Sequence, residues 1–107
     1  MIMKVFTIYD RKGEYYGSPF FAPSVGIALR NFAELASDDK SSVFKYPLDF
    51  VLFELGSFDD HDGSFSCHPT PRDVGNAESV LRDLGPRVKP DFLNRGAIIN
   101  GNSEVSR

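Results

Sequence analysis

The chain has 107 residues and a formal net charge of −3 at pH 7, a length that fits one domain with one modest core, since such a chain buries about two-thirds of the surface its unfolded form exposes. The acidic balance argues against a strong, non-specific DNA binder, which needs a basic surface, and the lone Cys67 excludes an internal disulfide framework and agrees with a reducing compartment. No stretch approaches the roughly 18 apolar residues of a membrane helix and the first residues lack a cleavable leader pattern, so a cytosolic protein is expected. With ten Phe, four Tyr and no Trp, Phe should fill the core and leave surplus rings for a surface.

Residues 3–9, MKVFTIY, are β-branched and aromatic and predict a first strand with Phe6 and Ile8 on its inner face. Asp10 to Gly13 forms a turn, and residues 14–21 return as a shorter strand that Gly17 and Pro19 confine to an edge or an extended arm. Ser24 is a good N-cap for a helix over residues 25–36, where Val25, Ala28, Leu29, Phe32, Leu35 and Ala36 recur at helical spacing. Phe44, Tyr46 and Pro47 form a short connection. The longest apolar run then enters a hairpin, with Phe50, Leu52 and Glu54 on one face of a strand over 50–58 and Val51, Phe53 and Leu55 on the other. Asp59, Asp60, Asp62 and Gly63 supply the turn and residues 64–68 the return strand. Pro69-Thr70-Pro71-Arg72-Asp73 reads as a helix start with Thr70 as N-cap, which predicts a second helix over 71–84 stopped by Gly85-Pro86. Its apolar stripe would be Val74, Ala77, Leu81 and Leu84. The expected fold class is therefore α+β over residues 1–85, a small mainly antiparallel sheet of three to four strands packed by two helices, with residues 86–107 as an irregular C-terminal tail.

Charge is unevenly spread. Residues 1–48 carry six basic and five acidic side chains, residues 49–85 two and eight, and residues 86–107 four and two. The acidic turn Asp59-Asp60-His61-Asp62-Gly63 fails as a calcium loop, because setting Gly63 at the sixth position puts Phe58 first and Pro69 twelfth, where carboxylates are needed. His61, Cys67 and His68 lack the paired spacing of a zinc site. No phosphate loop, nucleophile elbow or metalloprotease motif is present, and Asp49 and Glu54 are expected on opposite strand faces, so neither an enzyme nor a metal or cofactor is expected.

The positive signal lies in the N-terminal third, where Lys4, Arg11 and Lys12 stand among Tyr9, Tyr15, Tyr16, Phe20 and Phe21. Aromatic rings interleaved with cations suit single-stranded nucleic acid, since bases stack on rings while Lys and Arg follow the phosphates. Lys4, Arg11, Lys12, Tyr15, Tyr16 and Arg30 are the candidate binding residues. Core packing of the Phe side chains is the competing reading.

Several phrases, VFTIYD at 5–10, PFFAPSVGIALRNFAEL at 19–35, FKYPLDFVLFELGSFDD at 44–60 and TPRDVGNA at 70–77, resemble the small non-structural protein of gokushoviruses, tailless microviruses with circular single-stranded DNA genomes. The resemblance covers roughly residues 4–77 and implies a phage protein made in the host bacterial cytoplasm, absent from the capsid. It also implies DNA binding during genome replication or the switch to single-strand synthesis and packaging. The chain continues past Leu84 further than the resemblance leads one to expect. The alternative is a protein-interaction module, homodimeric or docked through the 14–21 edge and the acidic 49–85 face on the phage replication protein or a host factor.

Overall fold

The β-branched and aromatic residues at the start of the chain form a strand as expected: in the computed structural model, which describes residues 1–84, β1 spans Ile2–Asp10. Asp10 turns the chain by accepting hydrogen bonds from the backbone N–H groups of Lys12 and Gly13 at 3.0 and 3.1 Å. The chain then doubles back along one edge of β1 as two short strands, β2 (Tyr15–Tyr16) and β3 (Phe20–Ala22). Pro19 and Gly17 account for the gap between them. The arm stays attached there, with Gly17 N–H donating to the Ile8 carbonyl at 2.8 Å and Thr7 Oγ1 donating to the Gly17 carbonyl at 2.7 Å.

Helix α1 (Val25–Ser37) starts where predicted, with the Ser24 hydroxyl accepting from Ile27 N–H at 3.2 Å, and buries Ala28, Phe32, Ala33 and Ala36 on one stripe. A single helical turn, α2 (Ser42–Lys45), capped by Ser41, and a 3-10 turn at Pro47–Asp49 form the connection. Asp49 therefore lies before the next strand rather than on it. β4 (Phe50–Asp59) and β5 (Ser64–Asn76) make the hairpin, and α3 (Ala77–Leu84) follows directly.

The second helix thus begins six residues later than predicted, and the return strand runs eight residues further. The stretch with the strongest helix-start chemistry, Thr70-Pro71-Arg72-Asp73, lies within β5, and Arg72 and Asp73 pair with Glu54 and Phe53 of β4. Proline and the residue before it are both compatible with extended backbone. Asn76 is the cap actually used: its Oδ1 accepts from Ser79 N–H at 2.8 Å. Pairing with a buried central strand outweighs the local signal, and Gly75, a poor helix residue, sits at the end of the strand.

The sheet is antiparallel throughout in the order β2-β1-β4-β5, with β3 also on β1, so it has five strands where three to four were expected. With the helices it makes an α+β fold. All helices that contribute to the core lie on one face, where Phe6, Leu52, Phe32, Ala22, Ala77 and Val80 are buried together and Ile8, Phe20, Phe50 and Val74 pack around them. Phe6 and Phe20 stack with centroids 5.8 Å apart. The tail expected at 86–107 lies outside the described residues.

Two of the three register shifts in the sheet set the faces of the residues around Glu54 and Gly56. On β1 Val5 and Thr7 are two positions apart, but their partners on β4, Gly56 and Phe53, are three apart, so β4 carries one extra residue. Between Glu54 and Gly56, the partners on β5 are Arg72 and Cys67, and His68-Pro69-Thr70-Pro71 bulges out of the ladder. The two prolines therefore cost no ladder hydrogen bond.

Candidate nucleic-acid interface

The face of the sheet away from the helices is aromatic. Its residues follow from alternation along β1: Met3, Val5, Thr7 and Tyr9 point away from the Phe6 and Ile8 side. Tyr16 pairs with Tyr9, Phe53 with Thr7, Phe21 with Val5, Phe58 with Met3, and Phe65 with Phe58, and cross-strand partners share a face. Two ring clusters result. Tyr9, Tyr16 and Phe53 meet with centroids 4.6 to 6.3 Å apart; Phe58 contacts Phe21 at 5.6 Å and Phe65 at 4.8 Å. Between them lies a groove of about 400 Å³ lined mainly by Val5, Pro19, Phe21, Leu55, Phe65 and Cys67. These rings are not core: Tyr16 is 51%, Phe21 47% and Phe65 59% exposed.

Phe53, Phe58 and Phe65 were not among the residues predicted from sequence. Phe53 and Phe58 are five apart, which in a regular strand sets them on opposite faces, and only the extra residue in β4 brings them to the same one. The exposed Phe65 after the turn was the one available signal. Gly56 permits the close hairpin crossing beside the bulge, because a Cβ there would collide with the Ser66 carbonyl oxygen.

The six predicted residues do not form one surface. Tyr16 belongs to the aromatic face. Tyr15 pairs with Asp10 and so points to the other side. Arg11 and Lys12 are exposed in the turn between β1 and β2, at the sheet end that carries Tyr9 and Tyr16. Lys12 there shares a shallow depression with Asp10, Tyr46 and Asp49. Arg30 is exposed on α1, which covers the opposite face of the sheet.

Lys4 also faces the helix side, two residues before Phe6, and its Nζ lies 3.6 Å from Glu54 Oε2. Glu54 is only 3% exposed, and two further side chains approach it, His68 Nε2 at 3.0 Å and Arg72 Nη1 at 3.7 Å. Burial favours the neutral carboxyl. The hydrogen bond from His68 and the charges of Lys4 and Arg72 outweigh that and hold the Glu54 pKa below its ordinary value. Since a carboxylate only accepts, His68 carries a hydrogen on Nε2 and donates it.

Among the described residues there is no group of three or more metal-ligating side chains, and no helix is long and apolar enough to cross a membrane. The sequence matches the family model described as phage ORF5 protein over residues 3–80. It is also 38% identical over 69 residues to Protein ORF5 of Chlamydia phage 1, a gokushovirus, an alignment covering 61% of this chain and 72% of that protein. No solved structure matches. The matched region contains the four phrases that suggested gokushoviruses and nearly all of the described fold, and the chain belongs to the phage ORF5 protein family.

Proposed function

We propose that this phage protein binds single-stranded DNA on the helix-free face of its sheet. Its role would be a non-enzymatic one in the host cytoplasm during genome replication or the switch to single-strand synthesis and packaging. The observation that carries the reading is the pair of exposed ring clusters on one sheet face, which offer unpaired bases stacking surfaces worth ~1–3 kcal/mol per base. The resemblance to proteins of viruses with single-stranded genomes supports the choice of ligand. Arg11 and Lys12 at the end of the face supply phosphate contacts.

The test is fluorescence anisotropy of a labelled single-stranded oligonucleotide at two salt concentrations, beside a duplex of the same sequence. Single-strand binding should fall with Tyr16→Ala or Phe65→Ala and more modestly with Arg11→Ala/Lys12→Ala. Absence of binding by the wild-type chain at low salt defeats the proposal.

Two observations favour a second reading. Residues 1–84 carry eight Lys and Arg against thirteen Asp and Glu, and the groove between the ring clusters is apolar, which suits a protein partner or a second copy better than a polyanion. Light scattering across a concentration series, with Phe65→Glu as the disrupting variant, separates self-association from DNA binding.

A further inference from the structure

We infer that Lys4 and Arg72, gathered with His68 around Glu54, form a second, electrostatic half of the DNA site, a phosphodiester-binding cluster on the side of the sheet opposite the rings. The inference rests on the single-strand reading above and extends it to a surface that the aromatic pattern does not reach.

Three strands converge here: Lys4 from β1, and His68 and Arg72 from β5, around Glu54 of β4. One buried carboxylate faces two permanent positive charges and a histidine, a local excess of positive charge on a described chain that is acidic in sum. Only His68 stands at hydrogen-bonding distance. Lys4 and Arg72, at 3.6 and 3.7 Å, are held near Glu54 by charge but do not spend their N–H groups on it. Their side chains are 41% and 63% exposed, so the ammonium and the forked guanidinium present donors to solvent, and both are suited to phosphate oxygens.

Position joins the cluster to the rings. β5 is an edge strand of the sheet; Phe65 and Cys67 lie on its aromatic side, and His68, the next residue, reaches Glu54 on the other. A strand stacked on Phe65 that passes over this edge meets Arg72 and His68. The bulge at 68–71 displaces the edge backbone there and leaves no regular ladder for another β-strand to extend.

The role of Glu54 makes the inference testable. A carboxylate that serves only as the buried centre of an ion cluster has no bearing on DNA. One that lies beneath a phosphate site opposes the ligand, and a unit charge about 4 Å away in water-like surroundings changes a binding constant about five-fold. Glu54→Gln should therefore tighten single-strand binding by about that factor, while the surface variants Arg72→Ala and Lys4→Ala weaken it and reduce its salt dependence. The assay is anisotropy with a labelled oligothymidine of about twelve nucleotides, with circular dichroism confirming that each variant is folded. Unchanged affinity and salt dependence in Arg72→Ala, in a wild-type background that binds and loses affinity with Phe65→Ala, overturns the phosphate cluster and leaves the aromatic site standing. If the wild-type chain does not bind, the single-strand reading itself has failed and the cluster falls with it.

Discussion

Glu54 occupies a position that strand alternation assigns to the core, directly across from Phe6, and it remains ionised there because His68, Lys4 and Arg72 surround it. Its pKa in the folded chain is held below the ordinary 4.5 even though burial, the largest single influence, pushes the other way. A carboxyl with a depressed folded pKa stabilises the fold fully above its ordinary pKa, and that contribution is lost as pH falls through the folded value. Urea denaturation between neutral pH and about pH 3 should show a shallower acid loss of stability in Glu54→Gln than in the wild type; superimposable profiles would remove the coupling. His68→Ala deletes the one short hydrogen bond to this carboxylate. It should cost ~1.5–3 kcal/mol at neutral pH, the range for hydrogen bonds to charged groups.

At the scale of elements, the hairpin and the last helix are where local chemistry and tertiary pairing disagree. Asn76 accepts the capping hydrogen bond of α3 and Thr70 does not. Asn76→Ala should therefore cost about 1 kcal/mol, while Thr70→Ala, exposed in the bulge, should stay within ~0.5 kcal/mol of wild type. Equal effects in urea titrations would contradict the observed boundary. Gly56→Ala forces the Cβ into Ser66 of β5 and should destabilise by more than ~1 kcal/mol. The first strand, α1 with its Ser24 cap, and the central strand were legible in the sequence because period and cap agree with the fold there. The start of α3 was not legible, because Pro71 serves an extended bulge as well as a helical first turn. The candidate site was half legible: Tyr16 and the flanking Arg11 and Lys12 stand out by composition. Phe53 and Phe58 join Tyr16 and Phe65 only through a one-residue bulge that changes the phase of β4, and no periodicity count detects that.

Taken as a whole molecule, the described chain is an acidic body with an aromatic face, and this combination fixes how it should respond to salt. A single-strand binder loses affinity with a logarithmic slope of about 0.7 for each phosphate its cations neutralise. Arg11 and Lys12 alone at the end of the aromatic face give a slope of about −1.4, and engagement of Lys4 and Arg72 beyond β5 raises its magnitude to about −2.8. Either value is far below that of a binder held by a basic groove. Stacking must then supply most of the affinity, so Tyr16→Ala should weaken binding about ten-fold while leaving the slope unchanged. Tyr15→Ala, whose ring lies on the other side of the sheet, should leave both unchanged. The two tyrosines are adjacent in sequence, alike in chemistry and both exposed, so composition cannot separate their effects and only the face can. If both variants weaken binding equally, the contact surface is the turn between β1 and β2 rather than the helix-free face of the sheet.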